Sequence, residues 1–275
     1  MADTANTQTA DGWVQRIRSL RQELGSGRLY YDGNTPDFVS NVAVHSGDTP
    51  RLRRYASGVI SARIMQLYAA TRMKTFSFTD LFLSGIERNI VYGLPFAARA
   101  QIEVLIVVWD VSQVLTKNQG TDEKAFAERV EVVDRALIKA VYGARNDFLP
   151  KLLKYYGAGM PEREILTGDV EALQATNILT RMKKMCEDSR YAHLADSYEI
   201  LCELAHPNML QNFLLTTYDE KRPKILRWAY DSEALKKALA LTAKPMALAS
   251  EATMELIDTL QPPFGIGTIV PADLP

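Results

Sequence analysis

Histidine and cysteine, the side chains on which most nucleophilic and metal-assisted chemistry draws, are scarce in this chain, with three and two among 275 residues. Cys186 and Cys202 are too few for a disulfide framework or a four-thiolate zinc site, and they read as small core residues in a reducing compartment. An excess of one charge is also lacking. The formal net charge is -1 and the pI is near 6.3, which removes any global electrostatic drive toward nucleic acid or anionic lipid and leaves only local basic patches. The most apolar run, 102–109, is interrupted by Glu103 and closed by Asp110, far short of the ~20 residues that cross a bilayer. No membrane partner is expected. The first residues have neither the cationic start nor the apolar core of a secretory leader, so the expected location is cytoplasmic. Phosphate-cradling glycine loops and a Gly-x-Ser-x-Gly elbow are missing too, since Gly265-Ile266-Gly267 sits in a proline-rich stretch with no helix after it. No cofactor is expected.

What is present is an ordinary composition, 47% hydrophobic and 24% charged, enough to bury a sizeable core in one large domain or two small ones. Trp13, Val14, Ile17, Leu20 and Leu24 recur at helical spacing before Gly25, and 28–50 reads as a loop. Leu52, Tyr55, Val59, Ile60, Ile64, Leu67 and Tyr68 predict a helix over 51–74, with Arg51, Arg53, Arg54 and Arg63 facing away from that stripe. Ser77 or Thr79 is a candidate cap for a second helix that ends at Gly93. Pro95 opens a third, through Lys117, apolar on most sides and therefore the centre of a bundle. Thr121, followed by Asp122 and Glu123, predicts a fourth as far as Gly143.

A short segment at 149–156, a helix capped by Asp169 and a helix starting near Ser189 follow. The stretches 214–218 and 225–230 flank a charged run and suggest a hairpin, and Asp231-Ser232 caps a long helix over 233–260. The expected class is all-α, a helical bundle with a small β-hairpin near 214–230. By order along the chain it divides into an N-terminal helix and loop (1–50), a helical core (51–215), a hairpin and long C-terminal helix packed on that core (216–262), and a tail (263–275).

The richest segment is Tyr198 to Asn208. A helix that stops at Pro207 is expected to carry Tyr198, Glu203 and His206 on overlapping faces, with the imidazole at the negative end of the helix dipole. Glu203-Leu204-Ala205-His206 has the Glu-x-x-His spacing of di-iron carboxylate bundles, which need it twice. Neither His45 nor His193 supplies a second copy, and no metal is expected. Arg99 and Glu103 lie four apart on the apolar third helix, where buried charge has to be paired. The candidate catalytic set is thus Arg99, Glu103, Tyr198, Glu203 and His206, with Arg99 holding an anion and Glu203 or His206 moving a proton. The competing reading is an ion pair that fixes helix register and a histidine that ends a helix.

Arg99-Ala100-Gln101-Ile102-Glu103 and the Tyr-x-x-Leu-x-Glu-x-x-His-Pro run from Tyr198 together resemble an uncharacterised group of bacterial helical proteins related to the HEPN superfamily. Many HEPN members are ribonucleases or RNA-binding parts of defence and toxin systems. The likeness spans about residues 50–215. Active HEPN ribonucleases carry an Arg followed four to six residues later by a His. Here Arg145-Asn146 begins that way but meets Pro150 and Lys151 where the His would fall, so the standard nuclease mechanism is not expected. The resemblance implies a HEPN-like protein acting by binding RNA or a protein partner, as a homodimer, in a defence or stress setting. The alternative is an enzyme with a polar or metal site built from the five residues above. Arg51, Arg53, Arg54, Lys183 and Lys184 are candidates for a phosphate-contacting face, against the plainer reading of solvated helix surface.

Overall fold

The computed structural model describes residues 9–25, 49–119, 126–142, 177–206, 209–219, 222–228 and 232–260. Their architecture is helical. In chain order the elements are α1 (Ala10–Glu23), α2 (Thr49–Glu87), α3 (Gly93–Lys117), α4 (Phe126–Tyr142), α5 (Ile178–Cys186), α6 (Leu194–Ala205), α7 (Met209–Leu215), strands β1 (Thr216–Asp219) and β2 (Arg222–Trp228), and α8 (Ser232–Asp258). The hairpin is antiparallel, with Thr216 opposite Trp228 and an irregularity after Tyr218. The expected loop over 28–50, the cap at Thr121, the Arg145-Asn146 pair, the segment at 149–156, the cap at Asp169 and the tail lie outside the described residues, as does His45.

The contacts group the chain into two discontinuous units. The first takes 1–28, 71–106 and 178–255, and the second takes 29–70, 107–177 and 256–275. In the first, Ile17, Phe82, Leu94, Ile102, Leu105, Leu201 and Met246 form a buried apolar core. In the second, Ile60, Ile64, Leu67, Val108, Val133 and Leu137 do so.

Polar groups are threaded through the first core. Gln101 on α3 is fully buried, and its Nε2 donates to Thr75 Oγ1 on α2 at 3.3 Å and to Thr253 Oγ1 on α8 at 3.1 Å. One amide thereby links three helices, because its NH2 has two donors and each finds a hydroxyl on a different helix. At the margin, Arg16 on α1 pairs with Glu251 on α8 through Nε and Nη2. Arg21 on α1 bonds Asp80 on α2 and lies 3.6 Å from the centre of the Phe76 ring.

Three expectations need correction. The helix over 51–74 does not stop before Ser77, and α2 runs unbroken through 39 residues. Ser77 Oγ donates to the Met73 carbonyl at 2.8 Å, and Thr79 Oγ1 donates to the carbonyls of Thr75 and Phe76. Hydroxyls that fold back onto the preceding turn satisfy themselves inside a helix and cap nothing. The helix ends at Glu87, before Gly93. There Asn89 takes the left-handed conformation (φ 54°), its N–H bonds the Ile86 carbonyl, and the Ile90 N–H bonds the Gly85 carbonyl at 2.7 Å, the paired closure of a Schellman end. Arg63 is the second correction. It does not face solvent but is fully buried, where its Nε donates to Asp134 Oδ1 on α4 at 3.0 Å. The start expected near Ser189 also moves: 187–193 are turns, and α6 begins at Leu194 with His193 as N-cap residue.

Gly85 is held by packing rather than by φ. A Cβ there would stand 2.7 Å from Leu94 Cδ1, and Leu94 is fully buried. Gly85→Ala in an open helix would stabilise by roughly 0.5–1 kcal/mol. Here the overpacking cost of about 1–3 kcal/mol prevails, so the urea midpoint is expected to fall; a rise would show that Leu94 swings clear.

Candidate functional site

The residues of the candidate set divide into three that meet and two that do not. Arg99 and Glu103 stand one turn apart on α3, and Arg99 Nε donates to Glu103 Oε1 at 3.0 Å. From α6, the Tyr198 hydroxyl donates to the same oxygen at 2.9 Å. The Arg99 guanidinium also lies 5.9 Å from the centre of the Tyr198 ring, at the outer reach of a cation–π contact. One carboxylate oxygen therefore ties two turns of α3 to the middle of α6. All three side chains belong to the first unit. Tyr198 is 2% exposed, whereas Arg99 and Glu103 keep 30% and 37% of their side chains in solvent, so the cluster sits at the rim of the core.

Glu203 and His206 do not join it. Both are exposed, and among the described residues no hydrogen bond or ion pair links either to Arg99, Glu103 or Tyr198. The reason is angular. Five residues of α-helix advance the side chain to about 140° from its start, so Glu203 leaves the face that Tyr198 occupies. His206 has already left the helix, as its extended backbone (φ -92°, ψ 146°) shows, the conformation imposed on a residue before proline. The neighbour that does follow Tyr198 on its own face is Cys202, four residues on. It is half-buried and stands near both Arg99 and Tyr198. Cys202 was absent from the candidate set, though the i, i+4 spacing alone marks it.

The electrostatics favour fixation over proton transfer. Burial, then the charge and hydrogen bond of Glu103, push the Tyr198 phenol well above its ordinary value of 10.0. A phenol so held donates a hydrogen bond and does not release its proton near neutrality. Burial opposes the charge of Arg99, but Cys202 and Glu103 outweigh it and raise the guanidinium further. With the imidazole elsewhere, neither the phenol nor the guanidinium of the trio is poised to exchange a proton at neutral pH. Glu203 and His206 gain no further metal ligands either: no group of three or more His, Cys, Asp or Glu suited to a metal occurs among the described residues.

Of the basic candidates, Lys183 and Lys184 are exposed on α5, while the side chains of Arg51, Arg53 and Arg54 lie outside the described residues. No described helix is long and apolar enough to cross a membrane. A shallow pocket of about 490 Å³ occurs along α1, lined by Gln15, Arg16, Ser19, Glu23 and Glu251. Its one notable pair, Arg16 with Glu251, is already mutually satisfied. Comparison with protein-family models, curated proteins and solved structures finds no match for this chain.

Tyr198→Phe removes a largely buried donor from a carboxylate and is expected to cost about 1–2 kcal/mol, read from urea unfolding. His206→Gln, at an exposed position, should stay within about 0.5 kcal/mol of the parent. A His206 variant as costly as Tyr198→Phe would contradict the division above. The pH dependence has a definite sign. The folded phenol keeps its proton longer than the unfolded one, so its contribution is fully present below pH 10.0 and is lost as pH rises from there. Tyr198→Phe should flatten that alkaline decline in the unfolding midpoint, and an unchanged decline would place its cause in another group.

Proposed function

We propose that this chain acts by binding a protein partner, its own second copy included, through the start of α3, and that it does not turn over a substrate with the Arg99 cluster. The observation that carries this reading is the exposure of Ile90 and Phe96, 45% and 48%, immediately before that cluster. Ile90 Cγ2 lies 3.6 Å from the point where a Cβ on Gly93 would sit, so the isoleucine lies along the first turn of α3. Phe96, Arg99 and Glu103 then follow at steps of three and four residues, on one stripe of the helix. An exposed aromatic beside a positioned arginine is the combination that anchors protein interfaces. A lone surface leucine would need no explanation.

This reading keeps the binding role implied by the HEPN resemblance and parts from its ribonuclease branch. It also sets aside the enzyme built from five residues, because the proton carriers of that enzyme lie off the cluster. RNA contact has its own support in the exposed Lys183 and Lys184. Against it stands the pairing of Arg16, Arg21, Arg99 and Arg190 with carboxylates, which leaves fewer cations to displace counterions from a phosphate backbone.

A photoreactive phenylalanine analogue at position 96, irradiated in the native cell, separates these outcomes. The expected result is a covalent adduct with a protein, and its loss when Ile90→Asp is added. A ribonuclease-sensitive adduct, matched by a salt-dependent gel shift of generic single-stranded RNA, would favour the RNA reading. No adduct of either kind would remove the α3 face from consideration.

A further inference from the structure

The second unit contains a fully buried guanidinium whose hydrogen bonding is unfinished. Arg63 on α2 is 0% exposed and Asp134 on α4 is 1% exposed. Only Arg63 Nε reaches Asp134, donating to Oδ1 at 3.0 Å. Arg63 Nη1 and Nη2 and Asp134 Oδ2 are buried without a hydrogen-bond partner. Gln66, one turn further on the same helix, likewise carries a buried Oε1 with none.

A guanidinium has five N–H donors in a rigid planar fork and does not give up its charge inside a protein. Leaving the two terminal nitrogens idle in a low-dielectric interior incurs their full desolvation cost. A carboxylate whose sole task was to neutralise Arg63 would be expected to take two parallel N–H bonds, the arrangement that planar fork and carboxylate favour. Asp134 takes one and holds its second oxygen back.

We infer that Arg63 and Asp134 are two walls of a buried site for a small oxyanion, which accepts from Arg63 Nη1 and Nη2 and from a neutral Asp134 carboxyl through an Oδ2–H. Charge balances in this arrangement, with one guanidinium against one anion and the carboxyl uncharged. Burial acts in the same sense, pushing the Asp134 carboxyl up more strongly than Arg63 pulls it down. The planar fork suits the paired oxygens of a carboxylate or a phosphate equally, so the chemistry named is that of the oxyanion, and the experiment distinguishes the two.

Two variants test the inference. Asp134→Asn preserves the neutral form, with a carbonyl for Arg63 Nε and an amide donor for the guest. Arg63→Met with Asp134→Leu removes both charges together, so that neither is left stranded and the fold has an apolar replacement. Each protein is desalted, denatured, and its released small anions are measured by ion chromatography. Each is then refolded with inorganic phosphate or with acetate, and the melting temperature is read. The expected result is one equivalent of oxyanion from the parent and from Asp134→Asn, a melting temperature raised by one of the two probes in both, and neither effect in the double variant. A parent that releases no anion and responds to neither probe overturns the inference. So does a double variant that responds as the parent does, or an Asp134→Asn protein that loses the anion or fails to fold, because the carboxyl would then have been an ionised counter-ion to Arg63.

Discussion

The Oε1 atom of Glu103 is the point on which the first unit's polar organisation turns. It receives the Arg99 guanidinium from its own helix and the Tyr198 phenol from α6, and a carboxylate oxygen with two charge-compatible donors is difficult to displace. Arg99 is thereby held in one rotamer at the edge of the core, with Phe96 exposed one turn before it. Burial, and after it the charge and hydrogen bond of Glu103, push the Tyr198 phenol up. The phenol is thus a fixed donor, and the surface beside it presents an exposed aromatic and a positioned guanidinium.

The buried polar residues of the two units follow one logic with different outcomes. In the first unit, Gln101 is shared between Thr75 and Thr253, while Thr242, Ser250 and Thr253 return their hydroxyls to carbonyls of their own helix at 2.7, 2.8 and 2.6 Å. The three hydroxyls are satisfied and specify register at little net cost, while Gln101 keeps a buried Oε1 without a partner. In the second unit, Arg63 and Asp134 are as deeply buried but only partly satisfied. A satisfied network is architecture. A half-satisfied one made of charge needs a further polar partner, a water or an ion.

Much of the helical framework was legible because it depends on local rules. Gly25 and Pro207 end α1 and α6 by backbone geometry alone, Pro95 falls in the first turn of α3, and the apolar stripe of Ile60, Ile64 and Leu67 is buried as its spacing predicts. The hairpin at 216–228 follows from two extended runs around a charged turn. What escaped was whatever had two local solutions or a distant cause. Ser77 and Thr79 are equally good caps and equally good interior back-bonders, and only the continuity of α2 decides. Arg63 belongs with surface arginines until Asp134, 71 residues away, is brought to it. Arg99, Glu103 and Tyr198 were found together because polar side chains interrupting apolar helices must meet something. Glu203 and His206 were expected on a face overlapping that of Tyr198, which the turn of about 140° to Glu203 and the extended backbone of His206 before Pro207 override.

The most direct measurement of this account is a double-mutant cycle on the bond that joins α3 to α6, using Glu103→Gln, Tyr198→Phe and the pair, each followed by urea unfolding. If Glu103 is the anchor described, the cycle returns a coupling of about 1 kcal/mol or more, because the phenol loses its charged acceptor when the carboxylate is neutralised. A coupling indistinguishable from zero would mean that the two helices are held by apolar packing alone and that the cluster organises nothing.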